Sequence, residues 1–395
     1  MPKVLRIINR FNLGGPTFNA ALLTKYMQPK YETLLIGGKE QDSEESSQFI
    51  LDNLGLKPFL VQEMQRDIGL RNDRAAYKRI KKLIKEFKPD IIHTHASKAG
   101  AIGRSAGIAY GKAKMVHTFH GHVFHSYFGK IKTNVYKNIE RTLALKTDKI
   151  IAISERQKLE LSKKYRICSE DKIEVIPLGF DLNKFNENKI EKRTLFREQY
   201  NITDNEIAIG IIGRLVPIKN HKLFLDSIYE VKKKTNKEIR AFIVGDGSER
   251  EHLKTHAKAL GLDFVNGDFT AEKKATIHFT SWIKAIDRVN AGMDIIALSS
   301  FNEGTPVSLI EAQASSKPIV STKVGGVSNI VIPNETALLT KNDNLSEFSE
   351  SLLKLVEDES LRHNLGNKGG RHVKDKFHYS RLVNDMDQLY QSLLK

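Results

Sequence analysis

Two carboxylates eight positions apart, Glu303 and Glu311, frame the stretch Asn302-Glu303-Gly304-Thr305-Pro306-Val307-Ser308-Leu309-Ile310-Glu311-Ala312. An apolar run, Asp294–Leu298, precedes it, and Pro306 suits the first position of a helix. This spacing predicts Glu303 in a loop and Glu311 in the second helical turn. Both then lie beside a helix N-terminus, whose free N–H groups and positive dipole end attract phosphate or other anions. Carboxylates placed there accept hydrogen bonds from sugar or ribose hydroxyls. The same pattern also fits a capped helix with two solvated glutamates.

A second group, Gly213-Arg214-Leu215-Val216-Pro217-Ile218-Lys219, follows the apolar run Ile207–Ile212. Arg214 and Lys219 leave one strand–helix loop as two cations. Arginine offers a planar fork of donors and lysine a mobile point charge, a pairing suited to a diphosphate. Surface loops bearing Arg and Lys are common, so this reading leans on the glutamate pair. Gly325-Gly326-Val327 adds another glycine loop after Pro318–Ser321, open to close approach by a ligand or to a plain tight turn. Gly14-Gly15-Pro16 follows the first predicted strand but lacks the full Gly-x-Gly-x-x-Gly pattern, and reads as a loop lining a cleft.

Histidines crowd two strand ends: His93 and His95, then His117, His120, His122 and His125. Residues two apart in a strand share a face, so His93/His95 and His120/His122 are expected to converge. Zinc is the rival reading. Against it, no cysteine lies nearby, no third ligand is evident, and no helical His-Glu pair occurs. Hydrogen bonding of a substrate by one or two of these histidines is the preferred reading. Asp385-Met386-Asp387 resembles an acidic metal-binding pair but falls within the closing helical pattern, predicting a solvated face.

The elements that must carry these groups alternate between short β-branched runs and helical patterns, the mark of parallel α/β folding. Strands are predicted at Val4–Asn9, Glu32–Ile36, Phe59–Val61, Asp90–His95, Lys114–Phe119, Lys149–Ser154 and Lys172–Ile176. Helices are predicted over Arg74–Phe87 and Thr133–Leu145. From Pro177 a polar stretch to Tyr200 reads as a linker, after which a second series of the same kind begins. The expected organisation is two Rossmann-like domains, 1–182 and 183–377, facing each other across a cleft, with a closing helix over about 378–395. Ligands then belong outside the carboxyl ends of the strands.

The 395 residues are 40% hydrophobic and 28% charged, an ordinary globular composition. No apolar run is long enough to span a bilayer and the N-terminus lacks a signal-peptide layout, so a cytoplasmic protein is expected. Cys168 is the only cysteine, which excludes an intrachain disulfide. The net charge of +16 is uneven, with +14 in residues 1–180 and +13 in residues 66–149 alone. Such a patch attracts nucleic acid, membrane head groups or phosphorylated substrates, or it merely solubilises the domain.

These residues resemble family 4 glycosyltransferases, retaining enzymes of the GT-B fold, over nearly the whole chain. Glu303 and Glu311 are similar to the family's E-x7-E motif and Gly213–Lys219 to its diphosphate loop. Val175-Ile176-Pro177-Leu178-Gly179-Phe180-Asp181 resembles its interdomain sequence, with Leu178 and Phe180 departing from the usual Asn and Val. His120 in Thr118-Phe119-His120-Gly121-His122 resembles its active-site histidine, and the closing helix resembles one that packs back on the N-terminal domain. The resemblance implies that Arg214 and Lys219 neutralise the leaving diphosphate. Glu311 would hold ribose hydroxyls, Glu303 the 3- and 4-hydroxyls of the donor sugar, and His120 the transferring sugar. Gly14, Gly15, Gly213, Gly304, Thr305, Pro306, Val307, Gly325, Gly326 and Val327 would line the donor, with Trp282 near the base.

The implied reaction moves a hexose or N-acetylhexosamine from a nucleotide diphosphate, with uracil the expected base, onto a lipid-linked glycan, with no cofactor and no metal. Lys78, Arg79, Lys81, Lys82, Lys85, Lys130 and Lys132, beside the aromatic stretch Val123–Gly129, predict docking on an anionic inner membrane surface. One rival is a UDP-sugar 2-epimerase of the same architecture, which turns over without an acceptor. Another is nucleic-acid binding, for which the sequence offers charge but no recognition motif.

Overall fold

The computed structural model describes residues 1–12, 15–40, 46–65, 69–121, 130–267 and 274–395, without the side chains of residues 130–132. The chain folds as two compact units, Met1–Phe180 with Phe377–Lys395, and Asp181–Lys376.

The first unit is built on β1 (Lys3–Arg10), β2 (Glu32–Gly38), β3 (Phe59–Leu60), β4 (Ile91–His95), β5 (Lys114–Phe119), β6 (Lys149–Ala152) and β7 (Ile173–Val175). They pair in parallel in the order β3-β2-β1-β4-β5-β6-β7. The second unit repeats the plan with β8 (Ile207–Ile212), β9 (Ile239–Val244), β10 (Phe264–Asn266), β11 (Ile277–Ser281), β12 (Ile295–Leu298), β13 (Ile319–Thr322) and β14 (Ala337–Thr340). Its order is β10-β11-β9-β8-β12-β13-β14. Helices cover both faces, so central strands such as β8 and β12 are buried along their whole length and read as continuous apolar runs. In each sheet the winding reverses beside the first strand, between β1 and β4 and between β8 and β12. The crevice at the carboxyl end of such a reversal is where doubly wound folds hold ligands.

Glycines govern how closely the helix Ser97–Tyr110 settles on the first sheet. A Cβ on Gly100 would lie 2.4 Å from His117 Cε1, and one on Gly103 2.7 Å from Thr94 Cγ2. The closing helix, Tyr379–Leu394, buries Leu382, Met386, Leu389 and Tyr390 against Val4, Ile91, Val116 and Ile151, completing the core of the first unit.

Two expectations need correction. The face carrying Asp385 and Asp387 is not simply solvated. Asp387 accepts hydrogen bonds from Tyr31 Oη at 2.7 Å and Lys30 Nζ at 2.5 Å, and Asp385 pairs with Arg381 at 3.0 Å. The polar stretch before Tyr200 is not a linker throughout, because Lys189–Gln199 is a helix. Phe196 and Arg197 are buried within it, and Arg197 and Arg193 reach Asp294 at 3.1 and 2.8 Å, so tertiary contacts override a polar sequence. The structure adds the strands β10, β11 and β14 and the helices Leu345–Glu357 and Glu359–Phe377 to the elements expected from sequence.

Candidate functional site

In the second unit the predicted cation loop follows β8 and the predicted glutamate loop follows β12, the two strands flanking the reversal. Ser299 Oγ donates to Lys219 O at 3.1 Å and Phe301 N to Ile218 O at 2.8 Å, so the loops are bound to one another. Lys219 Nζ lies 2.6 Å from Glu303 Oε1, and Ser300 Oγ donates to the same oxygen at 2.6 Å. Both side chains are largely buried, which strengthens their attraction over that of an exposed pair. Arg214 is exposed beyond the sheet edge. Gly213 still donates to Val244 O at 3.0 Å, ending the ladder where the loop departs.

Gly325 and Gly326 have a packing role. A Cβ on Gly325 would stand 1.9 Å from Glu303 O, and one on Gly326 1.7 Å from Gly304 O. Gly325 also holds φ at +49°, a left-handed conformation, and Gly326 N donates to Glu303 O at 2.9 Å. The loop after β13 thus abuts the backbone that carries Glu303, and Val327 anchors it in the core. Pro306 has extended backbone (φ −72°, ψ 93°) and caps the helix Val307–Ala314, which begins one residue later than expected. Gly304 is exposed, Thr305 and Val307 are partly buried, and Glu311 stands in the second turn. Although Glu311 retains some exposure, its surroundings strip enough water to push its carboxyl up to about 7. Lys184 opposes that rise and Asp287 adds to it. Trp282 follows β11 at the same sheet edge with 48% of its surface exposed, and Phe301 and Ile218 are also exposed nearby in sequence to the paired loops.

In the first unit, Gly15 opens the helix Gly15–Tyr26, while Gly14, His122, His125 and the stretch Val123–Gly129 lie outside the described residues. The remaining histidines divide between two faces of the sheet. His93 and His95 share one face with ring centroids 4.2 Å apart. His93 Nδ1 is 2.6 Å from Tyr390 Oη and its Nε2 2.8 Å from Thr118 Oγ1. His95 Nδ1 is 2.9 Å from His120 Nε2. His117 lies on the opposite face under Gly100, its Nδ1 2.8 Å from Thr94 Oγ1. Burial holds His93, His95 and His117 well below the ordinary imidazole range and His120 at about 3, so all four are neutral near pH 7. Among the described residues no three His, Cys, Asp or Glu side chains gather so as to hold a metal ion.

The basic patch is mixed. On the helix Leu70–Phe87, Lys78, Arg79, Lys82 and Lys85 are exposed and Lys81 is partly buried. Arg79 lies over the Phe59 ring at 5.1 Å, Lys81 near the Tyr77 ring at 5.9 Å, and Lys82 pairs with Glu86 at 3.7 Å. Lys130 and Lys132 fall in the helix Lys130–Leu145, their side chains outside the described set. That helix also exposes Val135, Ile139 and Leu145. Among the described residues no helix is long and apolar enough to cross a membrane.

Three further residues belong to these sites: Ser300, which donates to Glu303, Tyr390, which bonds His93, and Arg6, which donates to Tyr390 from the strand beside His93. Ser300 was within reach from sequence, three residues ahead of Glu303 in the same loop. Tyr390 was not, since only the fold brings it across 297 positions to His93.

Residues 192–372 match the model described as glycosyl transferases group 1, and residues 23–184 the model described as glycosyltransferase family 4. The chain is 29% identical to the Escherichia coli UDP-Gal:alpha-D-GlcNAc-diphosphoundecaprenol alpha-1,3-galactosyltransferase, covering 85% of this chain and 84% of that protein. It is 26% identical to the Staphylococcus aureus capsular polysaccharide biosynthesis glycosyltransferase CapM, covering 85% of each. Among solved structures, Anabaena HepE in complex with UDP superposes with a TM-score of 0.81 at 18% identity, covering 99% of this chain and 100% of that one. A glycosyltransferase from Rickettsia africae gives 0.80 at 19% identity, covering 100% and 99%.

Proposed function

This chain belongs to the family 4 glycosyltransferases, and we propose that it moves a hexose or N-acetylhexosamine from uridine diphosphate to a lipid-linked glycan acceptor. The transfer retains the anomeric configuration and uses no metal. One observation carries the proposal: Lys219 and Glu303 meet at the β8/β12 reversal with Arg214 exposed in the same loop and Glu311 on the helix that follows.

On this reading Arg214 and Lys219 take up the charge that develops on the leaving diphosphate, the electrostatic work a metal does elsewhere. Glu303 accepts from hydroxyls of the donor sugar and Glu311 from those of the ribose. His120, neutral at working pH, donates to or accepts from the transferred sugar. Trp282, with its exposed ring, offers a stacking surface to the base. The E. coli relative, whose name gives a UDP-sugar donor and a diphosphoundecaprenol acceptor, supports both substrate classes.

A lipid-linked acceptor requires reaching a membrane. Lys78, Lys82 and Lys85 on one helix, and the apolar Val135, Ile139 and Leu145 on another, suit reversible docking on an anionic leaflet. Each basic residue near such a surface contributes ~1 kcal/mol.

The deciding assay incubates the protein with UDP-Gal, UDP-GlcNAc or a GDP-sugar, each with and without polyprenyl diphosphate-linked GlcNAc, in the presence of EDTA. Transfer from a UDP-sugar, with an α-linked product by NMR, is expected. Turnover of UDP-GlcNAc without acceptor would instead identify an epimerase, and rescue by added metal would end the metal-independent reading. Co-sedimentation at low salt should favour anionic over neutral vesicles, and equal pelleting with both would remove the membrane component.

A further inference from the structure

The histidine cluster of the first unit contains more imidazole than one active-site histidine accounts for. His93 has both ring nitrogens committed, to Tyr390 and Thr118, and His117 belongs to the other face of the sheet. His95 and His120 remain. Their planes differ by only 28° with centroids 5.2 Å apart, and the joining nitrogens are 2.9 Å apart, so the rings meet edge to edge in an aligned hydrogen bond. His95 is meanwhile clamped face-on against His93, and His93 is fixed by the closing helix through Tyr390. His95 Nε2 and His120 Nδ1 have no partner among the described residues.

We propose that His95 is a positioning residue that fixes both the ring and the tautomer of His120, making His120 a hydrogen-bond donor through Nδ1 to an oxygen of the transferred sugar. The inference rests on the glycosyl-transfer reading for that sugar, but not for the tautomer.

The argument is a count of protons. Burial and the charge of Arg6, which lies on the neighbouring strand in register with His93, keep these rings neutral. Each therefore carries one proton, and the shared bond uses one of the two. If His120 donated from Nε2, the proton of His95 would sit on Nε2, inside a residue with no exposed surface at all. A buried N–H without an acceptor costs about 1–3 kcal/mol. If His95 donates from Nδ1 instead, its Nε2 is a bare lone pair and the unused N–H falls on Nδ1 of His120. That atom is also buried and without a partner among the described residues, but its ring is partly exposed at the strand end, where water or a ligand oxygen can reach it, whereas His95 has no exposed surface. The second arrangement is therefore the cheaper one. It makes His120 unsuited to accept a proton at Nδ1, which separates a donor from a general base.

Long-range 1H–15N imidazole spectra of the full-length protein, with His120 assigned by a His120→Gln variant, read the tautomer directly. The wild type should show His120 protonated at Nδ1, and His95→Phe should move that proton to Nε2. In the transfer assay His95→Phe should lower kcat on the order of 100-fold through misplacement alone. The donor KM should stay nearly unchanged. His95→Asn, whose amide can stand where Nδ1–H stood, should recover most of the loss. His120 protonated at Nε2 in the wild type, or equal kcat for the Asn and Phe variants, would overturn the proposal. If His95→Phe does not fold, the wild-type spectrum and the Asn variant still decide it. Absence of any transfer with the Nδ1–H tautomer present would instead remove the functional reading and leave the dyad standing.

Discussion

Lys219 Nζ and Glu303 Oε1 are 2.6 Å apart, although 84 residues of chain separate them. A cation expected to meet phosphate and a carboxylate expected to meet sugar hydroxyls therefore neutralise one another. On the proposed reading, donor binding would have to share or exchange that bond, which would couple recognition of the sugar to recognition of the diphosphate.

Lys219→Ala and Arg214→Ala should each cost ~2.7–4 kcal/mol of transition-state stabilisation. Glu303→Gln releases Lys219 and should bind UDP at least as tightly as wild type while turning over poorly. Calorimetric titration with UDP, set against steady-state transfer rates, tests the coupling. Weaker UDP binding by Glu303→Gln would show that the pair does not compete with phosphate.

Glu311 titrates at about 7 in the folded protein and at ordinary carboxylate values when unfolded. The folded state thus binds the extra proton between those values, so the group's contribution to stability is full below about 4.5 and is lost as pH rises through 7. Glu311→Gln should be the more stable protein at pH 8, by at most about 3 kcal/mol, with the gap closing toward pH 5. Thermal melts across that range check it, and a gap that widens on acidification would refute the assignment.

The buried histidines act in the opposite sense. Their native values lie below 6.5, so unfolding takes up protons as pH falls, and stability held above pH 6.5 is progressively lost below it. At pH 5.5 each contributes a loss on the order of 1 kcal/mol. Three in the first unit should lower its unfolding temperature by something on the order of 10 °C relative to pH 7.5. Scanning calorimetry at the two pH values reads this, and coincident transitions would contradict neutral burial.

Gly326→Ala places a methyl group 1.7 Å from Gly304 O, a contact only backbone movement can relieve. The loop carrying Glu303 must shift, so donor KM and kcat should both suffer, with a fall in stability of about 1–3 kcal/mol. Normal kinetics in this variant would mean the loops are not held in contact.

What could be read from sequence was whatever lay within a few residues. The Glu303–Glu311 spacing, the apolar runs of β8 and β12 and the shared face of His93 and His95 are local properties, and each is found where expected. The Lys219–Glu303 pair was hidden because it comes from strand order, and the Tyr390–His93 contact because it comes from the closing helix crossing back. β11, Ile277–Ser281, escaped because its polar residues His278 and Thr280 are buried beside Arg240 and the neighbouring strand rather than exposed. The helix Lys189–Gln199 escaped because its charges serve Asp294 and the end of another helix instead of solvent.

The closing helix also sets an order of events during synthesis. N-terminal domains ordinarily complete folding while later parts of a chain are still being translated. Here Leu382, Met386 and Tyr390 belong to the core of the first unit, yet the whole of Asp181–Lys376 is made before them. The nascent first unit waits with an uncovered apolar sheet face and an unclamped His93 until its last helix emerges from the ribosome. A stop codon ahead of Tyr379 would therefore do its damage in the part of the protein made earliest.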